Sequence, residues 1–127
     1  MTQMLTPVSR KVTFDLIVAY GKATLDENPI HTDRAFAEAT EMNGIIAHGT
    51  IALNLLWSSI EATVGRPIAA GTTLDVRFVA PVREDEVLTA QGTQSGDSGD
   101  GYDVEVITGD GTVVVRGTAL LPKECTG

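Results

Sequence analysis

The feature that most constrains the fold of this chain is an apolar segment at about residues 50–64. A helix that is apolar around nearly its whole circumference is buried, and the apolar side chains here cover most helical positions: Ile51, Leu53, Leu55, Leu56, Trp57 and Ile60. The polar residues recur at i, i+4, i+8 and i+11 and so form one narrow stripe: Thr50, Asn54, Ser58 and Glu61. We expect this stripe to be a solvated seam or a subunit contact rather than a chemical site. Gly65 and Pro67 are expected to end the helix.

After Gly71 the apolar period changes from helical to alternating, which is typical of half-buried strands. The pattern predicts strands at residues 73–81, 86–94, 102–108 and 112–121. A glycine-rich, acidic hairpin turn and a tight Gly-Asp-Gly turn connect the later strands, and Pro122 ends the last one. Residues 8–12 are expected to form a short edge strand. An antiparallel sheet with one long buried helix placed early in the chain is an α+β domain.

Two shorter helices are expected before the long one. Thr13 is a suitable N-cap for a helix at residues 14–23, and Asp33 is a suitable N-cap for a short helix through residues 35–39. Asn43 and Gly44 interrupt the chain there, and a loop then leads into the long helix. Because no internal repeat or linker is present, we predict one domain over residues 1–127, with loose tails at residues 1–7 and 122–127.

Composition narrows the classes of partner. At 127 residues, with 43% hydrophobic content, the chain is long enough for one domain with a real core. A formal net charge of −8 disfavours nucleic acid and anionic membrane surfaces, which bind clustered Lys and Arg. No apolar run has the length of a membrane span and residues 1–11 lack a signal-peptide pattern, so we expect a cytoplasmic protein. The single cysteine, Cys125, has no second cysteine or neighbouring histidine, so it predicts neither an internal disulfide nor a metal site.

Both histidines of the chain, His31 and His48, lie in the segment that leads to the long helix. His31 follows Asp26 by five residues, with Pro29 between them. Pro29 fixes its own φ and disfavours helical geometry at Asn28, so a stiff turn is expected to hold Asp26 and His31 together. A carboxylate and an imidazole that face one gap can hold a water, and one group can take its proton while the other delivers a proton elsewhere. The residue types alone are equally compatible with a helix-capping aspartate and a structural histidine.

These residues resemble a known family. The matching stretches are residues 26–31 (Asp-Glu-Asn-Pro-Ile-His), 36–37 (Phe-Ala) and 44–49 (Gly-Ile-Ile-Ala-His-Gly). They are similar to the signature of the MaoC-like, (R)-specific 2-enoyl-CoA hydratases, and residues 77–86 are similar to that family's first long strand and acidic turn. The resemblance implies a hotdog fold, in which an antiparallel sheet wraps around one long buried helix. It also implies reversible syn addition of water to an α,β-unsaturated acyl thioester.

The resemblance further implies roles for particular residues. Asp26 and His31 match the catalytic pair that activates and positions the water, and Gly49 matches the glycine whose backbone N–H receives the thioester oxygen. Developing enolate charge would there meet an N–H donor and the positive end of a helix dipole. The supporting or substrate-binding positions are Asn28, which organises the loop, His48, for which we favour a structural role, and Phe78 on the first long strand. No metal or redox cofactor is implied.

The chain departs from the family pattern in places. Leu25 precedes the aspartate where many members have glycine, and Thr50 follows the His-Gly pair where methionine is frequent. Where some members place serine along the seam of the buried helix, this chain has Asn54, Trp57 and Ser58. We predict that Trp57 packs in the core. A Trp57 that instead shortened an acyl tunnel would favour short or unusual acyl groups.

Two other functions stay open at this point. Hotdog thioesterases also use a carboxylate with a helix N-terminal N–H, and a non-catalytic module would bind acyl thioesters without turnover. The substrate carrier is expected to be CoA or an acyl carrier protein. Two sheets joined edge to edge would cover a hydrophobic outer strand, so we expect at least a homodimer. The CoA phosphates require cations, and the candidates are Lys22, Arg66, Arg77 and Arg83. Any one of these, taken singly, is better explained as a solvated surface charge.

Overall fold

The computed structural model describes residues 4–64, 71–95 and 101–121. In these ranges the chain forms five strands: β1 (Val8–Lys11), β2 (Thr73–Phe78), β3 (Val87–Ser95), β4 (Gly101–Ile107) and β5 (Val113–Leu120). It also forms four helices there: α1 (Phe14–Thr24), α2 (Pro29–Thr32), α3 (Arg34–Glu38) and α4 (Gly49–Val64). Some predicted features lie outside the described residues: the helix stop at Gly65 and Pro67, Arg66, the turn glycines Gly96 and Gly99, Pro122 and Cys125.

The strands form one antiparallel sheet in the order β1-β3-β4-β5-β2, so that β1 and β2 are its edges. α4 packs against β1, β3, β4 and β5. Alternate residues of the central strands are buried, as the two-residue period predicts: Leu88, Ala90, Tyr102, Val104 and Val106. The predicted α+β arrangement, a sheet packed around one long helix, is therefore confirmed.

α4 is buried in the way its composition predicts. Leu56 and Ile60 are both 0% exposed, and burial of a side chain of this size contributes roughly 1.5–3 kcal/mol. Ser59 is also buried, and its hydroxyl donates to the Thr6 carbonyl oxygen at 2.6 Å, which satisfies the polar group. Trp57 is half-buried against the core, as the core-packing interpretation predicts. The polar stripe is exposed along its whole length, at Thr50, Asn54, Ser58 and Glu61.

The shorter helices begin where the predicted N-caps place them. Thr13 Oγ1 accepts from the Leu16 N–H at 3.1 Å, and Asp33 Oδ1 accepts from the Phe36 N–H at 3.1 Å. Each bond satisfies one of the donors that a helix start leaves without an intrahelical acceptor. α1 and α3 thus start at fixed residues on either side of the segment that carries Asp26 and His31.

Arg34, the first residue of α3, connects three parts of the chain. Its guanidinium lies 4.6 Å from the ring centroid of Phe14 in α1. It also donates to both carboxylate oxygens of Glu84, and this hydrogen bonding raises the pKa of Arg34. The contacts hold α1, α3 and the segment after β2 together around the turn between α1 and α2.

The prediction of a loose N-terminal tail is wrong for Leu5 and Thr6. Leu5 is 1% exposed, and its N–H donates to the Gly92 carbonyl oxygen at 2.9 Å. A Cβ added at Gly92 would lie 2.8 Å from Leu5 Cδ1, so Leu5 fills the core position that a side chain on β3 would occupy. The Thr6 N–H donates to Thr63 Oγ1 at 2.8 Å, which attaches the same segment to α4.

β2 ends at Phe78 rather than at the predicted residue 81. The β4–β5 register shifts at Val106/Ile107, so that Val114 is an extra residue in the ladder, and an extra residue bends a strand. The Val79 N–H donates to the carbonyl oxygen of that extra residue at 2.8 Å and leaves the regular pairing. Beyond it, the Val82 carbonyl oxygen accepts from the Ala47 N–H at 2.7 Å, which fixes the approach to α4.

Candidate active site

α1 ends in a left-handed residue immediately before the predicted aspartate. Leu25 has φ 60° and ψ 32°, and the Asp26 N–H donates to the Gly21 carbonyl oxygen at 2.9 Å to close the helix. This region is strained for a residue with a Cβ and unstrained for glycine. Leu25 is 91% exposed, so packing of its side chain contributes little against that strain. The leucine at this position therefore carries a backbone cost that a glycine would not.

Leu25→Gly is expected to raise the free energy of unfolding by about 1 kcal/mol. Relief of the left-handed strain contributes roughly 1–2 kcal/mol, and the greater freedom of glycine in the unfolded chain offsets part of it. Urea denaturation followed by circular dichroism measures the difference. Leu25→Ala is the matched control, because alanine removes the exposed side chain and keeps the strain. Equal stabilisation by both variants would contradict the backbone explanation.

The stiff turn predicted around Pro29 is a single helical turn, α2. Asn28 Oδ1 accepts from the Ile30 N–H at 3.1 Å, and Pro29 occupies the first helical position, where its missing N–H costs nothing. The His31 N–H donates to the Asn28 carbonyl oxygen at 2.9 Å. The helix cap is therefore Asn28, and the carboxylate of Asp26 is left 54% exposed and directed at the histidines.

The orientation of the buried His31 ring determines which of its nitrogens carries the proton. Nδ1 lies 2.7 Å from the Ile46 carbonyl oxygen, which can only accept, so Nδ1–H donates. In the neutral ring Nε2 then keeps a free lone pair, and it lies 4.0 Å from Asp26 Oδ2. That separation is too long for a direct hydrogen bond, and it fits one water that donates an O–H to each acceptor.

His48 contacts both members of this pair. It is 4% exposed, and its Nε2 lies 2.8 Å from the backbone carbonyl oxygen of Asp26, to which it donates. Its ring stacks on the His31 ring with centroids 3.8 Å apart, and the Tyr20 ring packs against it with centroids 5.0 Å apart. Nδ1 of His48 is buried without a hydrogen-bond partner among the described residues. These contacts fit the structural role expected for His48, since it fixes the backbone of one member of the pair and the ring of the other.

Gly21 in α1 makes the approach of His48 sterically feasible. A Cβ added at Gly21 would lie 2.7 Å from the Asp26 carbonyl oxygen and 3.4 Å from His48 Cε1 and Nε2. The carbonyl oxygen belongs to the backbone and cannot be moved by rotating a side chain. A glycine is therefore required where α1 passes the hydrogen bond between His48 and Asp26.

Gly21→Ala is expected to lower catalytic turnover about tenfold, because the new methyl group displaces the Asp26 carbonyl and with it the carboxylate. Alanine favours the helix by about 1 kcal/mol relative to glycine, which offsets part of the steric cost. The free energy of unfolding is therefore expected to change little, whereas turnover falls. Turnover and urea denaturation are measured on the same samples. Ala19→Gly, at an exposed position of the same helix, is the control: it should lose about 1 kcal/mol of stability and keep its activity. Full activity in Gly21→Ala would show that the site tolerates the displacement.

Gly49 is the first residue of α4, where N–H groups have no intrahelical acceptor. The Ile51 N–H donates to the His48 carbonyl oxygen at 3.1 Å, so the Gly49 N–H lies ahead of the first bonded turn. A Cβ at Gly49 would lie 3.1 Å from Cδ1 and Cε1 of Phe78, which is itself 54% exposed. The Phe78 ring therefore covers one side of a helix N-terminus that favours negative charge.

An apolar cavity of about 360 Å³ adjoins this N-terminus. Gly49 and Phe78 line it, and so does Ile46, whose carbonyl oxygen fixes the His31 ring. The cavity therefore lies next to the Asp26–His31 pair. A larger concavity, of about 460 Å³, lies on the sheet and is lined by neither Gly49 nor Ile46. We therefore assign the chemistry to the 360 Å³ cavity, which both of these residues line.

Asp26, His31 and His48 are also the described residues whose donor atoms, all within 4.8 Å of one another, come nearest to a metal-binding set. The hydrogen bonds restrict that set. His48 Nε2 uses its proton on the Asp26 carbonyl oxygen and His31 Nδ1 uses its proton on the Ile46 carbonyl oxygen. Free lone pairs that point into the gap remain on Asp26 and on His31 Nε2 alone, which is too few ligands for a typical protein metal site.

The structure brings together every predicted site residue, and it adds two that sequence reasoning missed. Tyr20 packs on His48, and its hydroxyl donates to Thr50 Oγ1 at 2.5 Å. Gly21 provides the space for His48. The signal for Gly21 was present in the sequence, since a glycine inside a helix costs stability and often marks a close approach. No comparable signal distinguishes Tyr20 from an ordinary apolar helix residue.

Comparison with known proteins now identifies the family. The family model described as "MaoC like domain" matches residues 2–116. The chain belongs to this family. The MaoC-like resemblance predicted from the sequence is thereby confirmed.

Individual MaoC-like relatives agree with this assignment. The (R)-specific enoyl-CoA hydratase of Rhodospirillum rubrum is 28% identical over 80 residues, which cover 63% of this chain and 56% of that protein. The (R)-hydratase from A. caviae involved in PHA biosynthesis superposes with a TM-score of 0.77 at 22% identity, covering 94% of this chain and 95% of that one. The R-hydratase PhaJ1 of Pseudomonas aeruginosa also gives a TM-score of 0.77 at 22% identity, covering 96% of this chain and 81% of that one. The structural likeness confirms the predicted hotdog fold.

The aligned region thus spans little more than half of the curated hydratase it matches. Among the described residues, no helix combines the length and the apolar character required to cross a membrane.

Proposed function

We propose that this MaoC-like protein is an (R)-specific hydratase and dehydratase that interconverts α,β-unsaturated and 3-hydroxyacyl thioesters. The observation that carries the proposal is the 4.0 Å gap between Asp26 Oδ2 and His31 Nε2, two acceptors that face each other. A water fits such a gap because it has two protons to donate and a lone pair to direct at a third atom. That third atom is the β-carbon of the enoyl group.

During hydration one proton moves from the water to Asp26 and from Asp26 to the α-carbon. The water donates one O–H to Asp26 and the other to His31, and its oxygen attacks the β-carbon. Asp26 takes one of the water protons as the new C–O bond forms. The protonated carboxyl group then returns this proton to the α-carbon on the same face, which gives syn addition and regenerates the carboxylate. His31 orients the water through Nε2, since its Nδ1 proton is held by the Ile46 carbonyl.

The negative charge that develops during this step lies on the thioester oxygen. The Gly49 N–H, at the start of α4, is placed to donate to that oxygen, and the helix dipole adds to the stabilisation. The contact between Phe78 and Gly49 helps to exclude water from this position. Carboxylate, imidazole and helix N-terminus thus supply the base, the water-positioning group and the oxyanion donor.

The first experiment is the loss of enoyl absorbance of crotonyl-CoA on addition of the protein, with released thiol measured in the same sample. Hydration lowers the absorbance without releasing thiol. Thiol release with unchanged enoyl absorbance would show that the protein is a thioesterase instead. Tight binding of crotonyl-CoA with neither change would show that it is a binding module. Chiral analysis of the 3-hydroxyacyl product tests the (R) assignment, which the named hydratase relatives support.

We further infer a homodimer as the working unit. Among the described strands β2 is a sheet edge, with no strand paired to its outer side. Exposed apolar side chains lie on it and beside it: Phe78 at 54% and Leu120 at 50%. A second copy paired along this edge would cover them. Sedimentation as a clean monomer at micromolar concentration would contradict the inference. The cytoplasmic location expected from the sequence stays a prediction.

The substrate partner in this proposal is an acyl-CoA or an acyl carrier protein thioester. Three of the cations suggested for the CoA phosphates are exposed: Lys22, Arg77 and Arg83. Their exposure is compatible with phosphate binding and equally with ordinary solvation, so the assignment of any one of them stays a prediction.

A further inference from the structure

A second cavity, of about 160 Å³, lies between α1, α4 and β1 and is lined by Tyr20, whose ring also packs on His48. The proposed chemistry does not use it. Apolar side chains form part of its wall: Leu16, Ile51 and Leu55. The remaining lining residues all carry a group that can donate a hydrogen bond: Arg10, Tyr20, Asn54 and Ser58. None of the described residues that line it is acidic, in a chain with a formal net charge of −8.

Arg10 reaches this cavity because of its register in the sheet. It pairs with Leu88, which is 0% exposed, and directly opposed residues of an antiparallel pair lie on the same face. Arg10 is therefore on the face of β1 that α4 covers, whereas its neighbour Lys11 pairs with the exposed Val87 on the opposite face. Among the described residues, no carboxylate lies within ion-pair distance of the Arg10 guanidinium. An arginine turned toward the core side of an edge strand thus has its charge available to a ligand.

The cavity is connected to the N-terminus of α4, because the hydroxyl of Tyr20, which lines it, donates to Thr50, the residue after Gly49. Tyr20 lines the cavity and packs on His48, which stacks on His31. Asn54 lies one turn and Ser58 two turns along α4 from Thr50, on the exposed stripe. With a rise of about 1.5 Å per residue, Asn54 is about 7.5 Å along the helix axis from Gly49. A chain that is held by its thioester oxygen at Gly49 and runs along this stripe would therefore place its far end, and not its reacting carbons, beside these donors.

We propose that this cavity binds a carboxylate at the far end of the acyl group, and that the preferred substrate is the monothioester of an unsaturated dicarboxylic acid. The proposal rests on the proposed hydratase function for the position of the thioester. The apolar wall accommodates the methylene carbons, and Arg10, Asn54 and Ser58 donate to the carboxylate oxygens. A plain alkyl chain would offer these exposed donors no acceptor in place of the water that it displaces, which lowers its affinity relative to the carboxylated chain.

Binding is measured first, because it does not require turnover. Isothermal titration calorimetry compares two saturated ligands that differ only at the far end, hexanedioyl-CoA with a carboxylate and hexanoyl-CoA with a methyl group. We expect the carboxylated ligand to bind about tenfold more tightly at low salt. Arg10→Gln should remove most of that preference. Lys11→Gln, which deletes a positive charge from the opposite face of the same strand, should keep it.

A second variant tests the proposal from the other direction. Ser58→Asp places a carboxylate in the cavity at an exposed helix position, and it should reverse the preference in favour of hexanoyl-CoA by like-charge repulsion. This variant decides the matter if Arg10→Gln fails to fold. Equal affinity of the unaltered protein for the two ligands would overturn the proposal. So would an equal loss for both ligands in Arg10→Gln, since that result would place Arg10 at a CoA phosphate instead.

Turnover of the corresponding 2-enoyl thioesters separates this inference from the hydratase proposal. If the carboxylated ligand binds more tightly and neither enoyl thioester is hydrated, the hydratase proposal fails and the carboxylate site stands. If both are hydrated equally well and the two saturated ligands bind alike, the hydratase stands and the carboxylate site fails. A change in Arg10→Gln confined to self-association would show that Arg10 only protects the sheet edge, and would overturn the inference.

Discussion

Asp26→Asn is expected to lower the rate of enoyl-thioester hydration by about 10²–10⁴-fold, the usual contribution of a positioned general base. The amide has the same shape as the carboxylate and cannot take a proton from the water. Its NH₂ group would also donate into the gap, where the water needs an acceptor on the Asp26 side. Because the Asp26 side chain is 54% exposed, the substitution should leave the fold intact.

The measurement is kcat and kcat/KM for loss of enoyl absorbance, with circular dichroism to confirm folding. Glu27→Gln is the matched control, since it removes one negative charge from the adjacent exposed position and should keep wild-type rates. His31→Ala is expected to reduce turnover to a similar degree, and the double variant should be hardly worse than either single one, because the two groups hold the same water. Retained activity in both single variants would exclude this pair as the catalytic centre.

Much of the fold follows from features that act locally. Residues 50–64 are apolar around most of the helix, so this helix must be buried. The apolar residues after Gly71 recur every two positions, which predicts strands. Thr13 and Asp33 act as N-caps because the capping bond forms within a single turn. Each of these preferences is determined by residues that are close together in the sequence.

The pairing of Asp26 with His31 was predictable for the same reason, since a proline and a capping asparagine connect them within one turn. The support behind the pair was not. His48 meets Asp26 and His31 only because α1 and the approach to α4 cross at Gly21, and this crossing is a tertiary contact. The tautomer of His31 depends likewise on the distant Ile46 carbonyl. Sequence spacing cannot specify such contacts, because they depend on where separate elements pack.

The limits of the strands were missed for a related reason. The pattern predicts that β2 continues to residue 81. In the structure β2 ends at Phe78, because Val114 is an extra residue in the neighbouring strand β5 and shifts the pairing there. The buried position of Leu5 depends on Gly92, far along the chain, which leaves space for it. A pattern of apolar residues shows which residues prefer burial. It does not show which partner strand bulges or which glycine makes room.

Gly117→Ala is expected to lower the free energy of unfolding by about 3 kcal/mol, at the upper end of the usual cost of overpacking. In β5, Gly117 pairs with Val76 of β2 and with Val104 of β4. A Cβ added there would lie 2.1 Å from the Asp75 carbonyl oxygen and 2.6 Å from Val76 Cα. Both are backbone atoms, so no rotamer change relieves the clash and β2 itself must move away.

Urea denaturation of this variant beside Gly109→Ala checks the steric argument, because a Cβ at Gly109 meets no atom within 4 Å. The control should be within about 0.5 kcal/mol of the unaltered protein, as surface substitutions usually are. A displaced β2 also takes Phe78 away from Gly49, so the Gly117→Ala protein that remains folded should bind acyl thioesters more weakly than the control. If Gly117→Ala were as stable as Gly109→Ala, β2 could not lie as close to β5 as the structure places it. The wall of the cavity beside α4 would then need a different explanation.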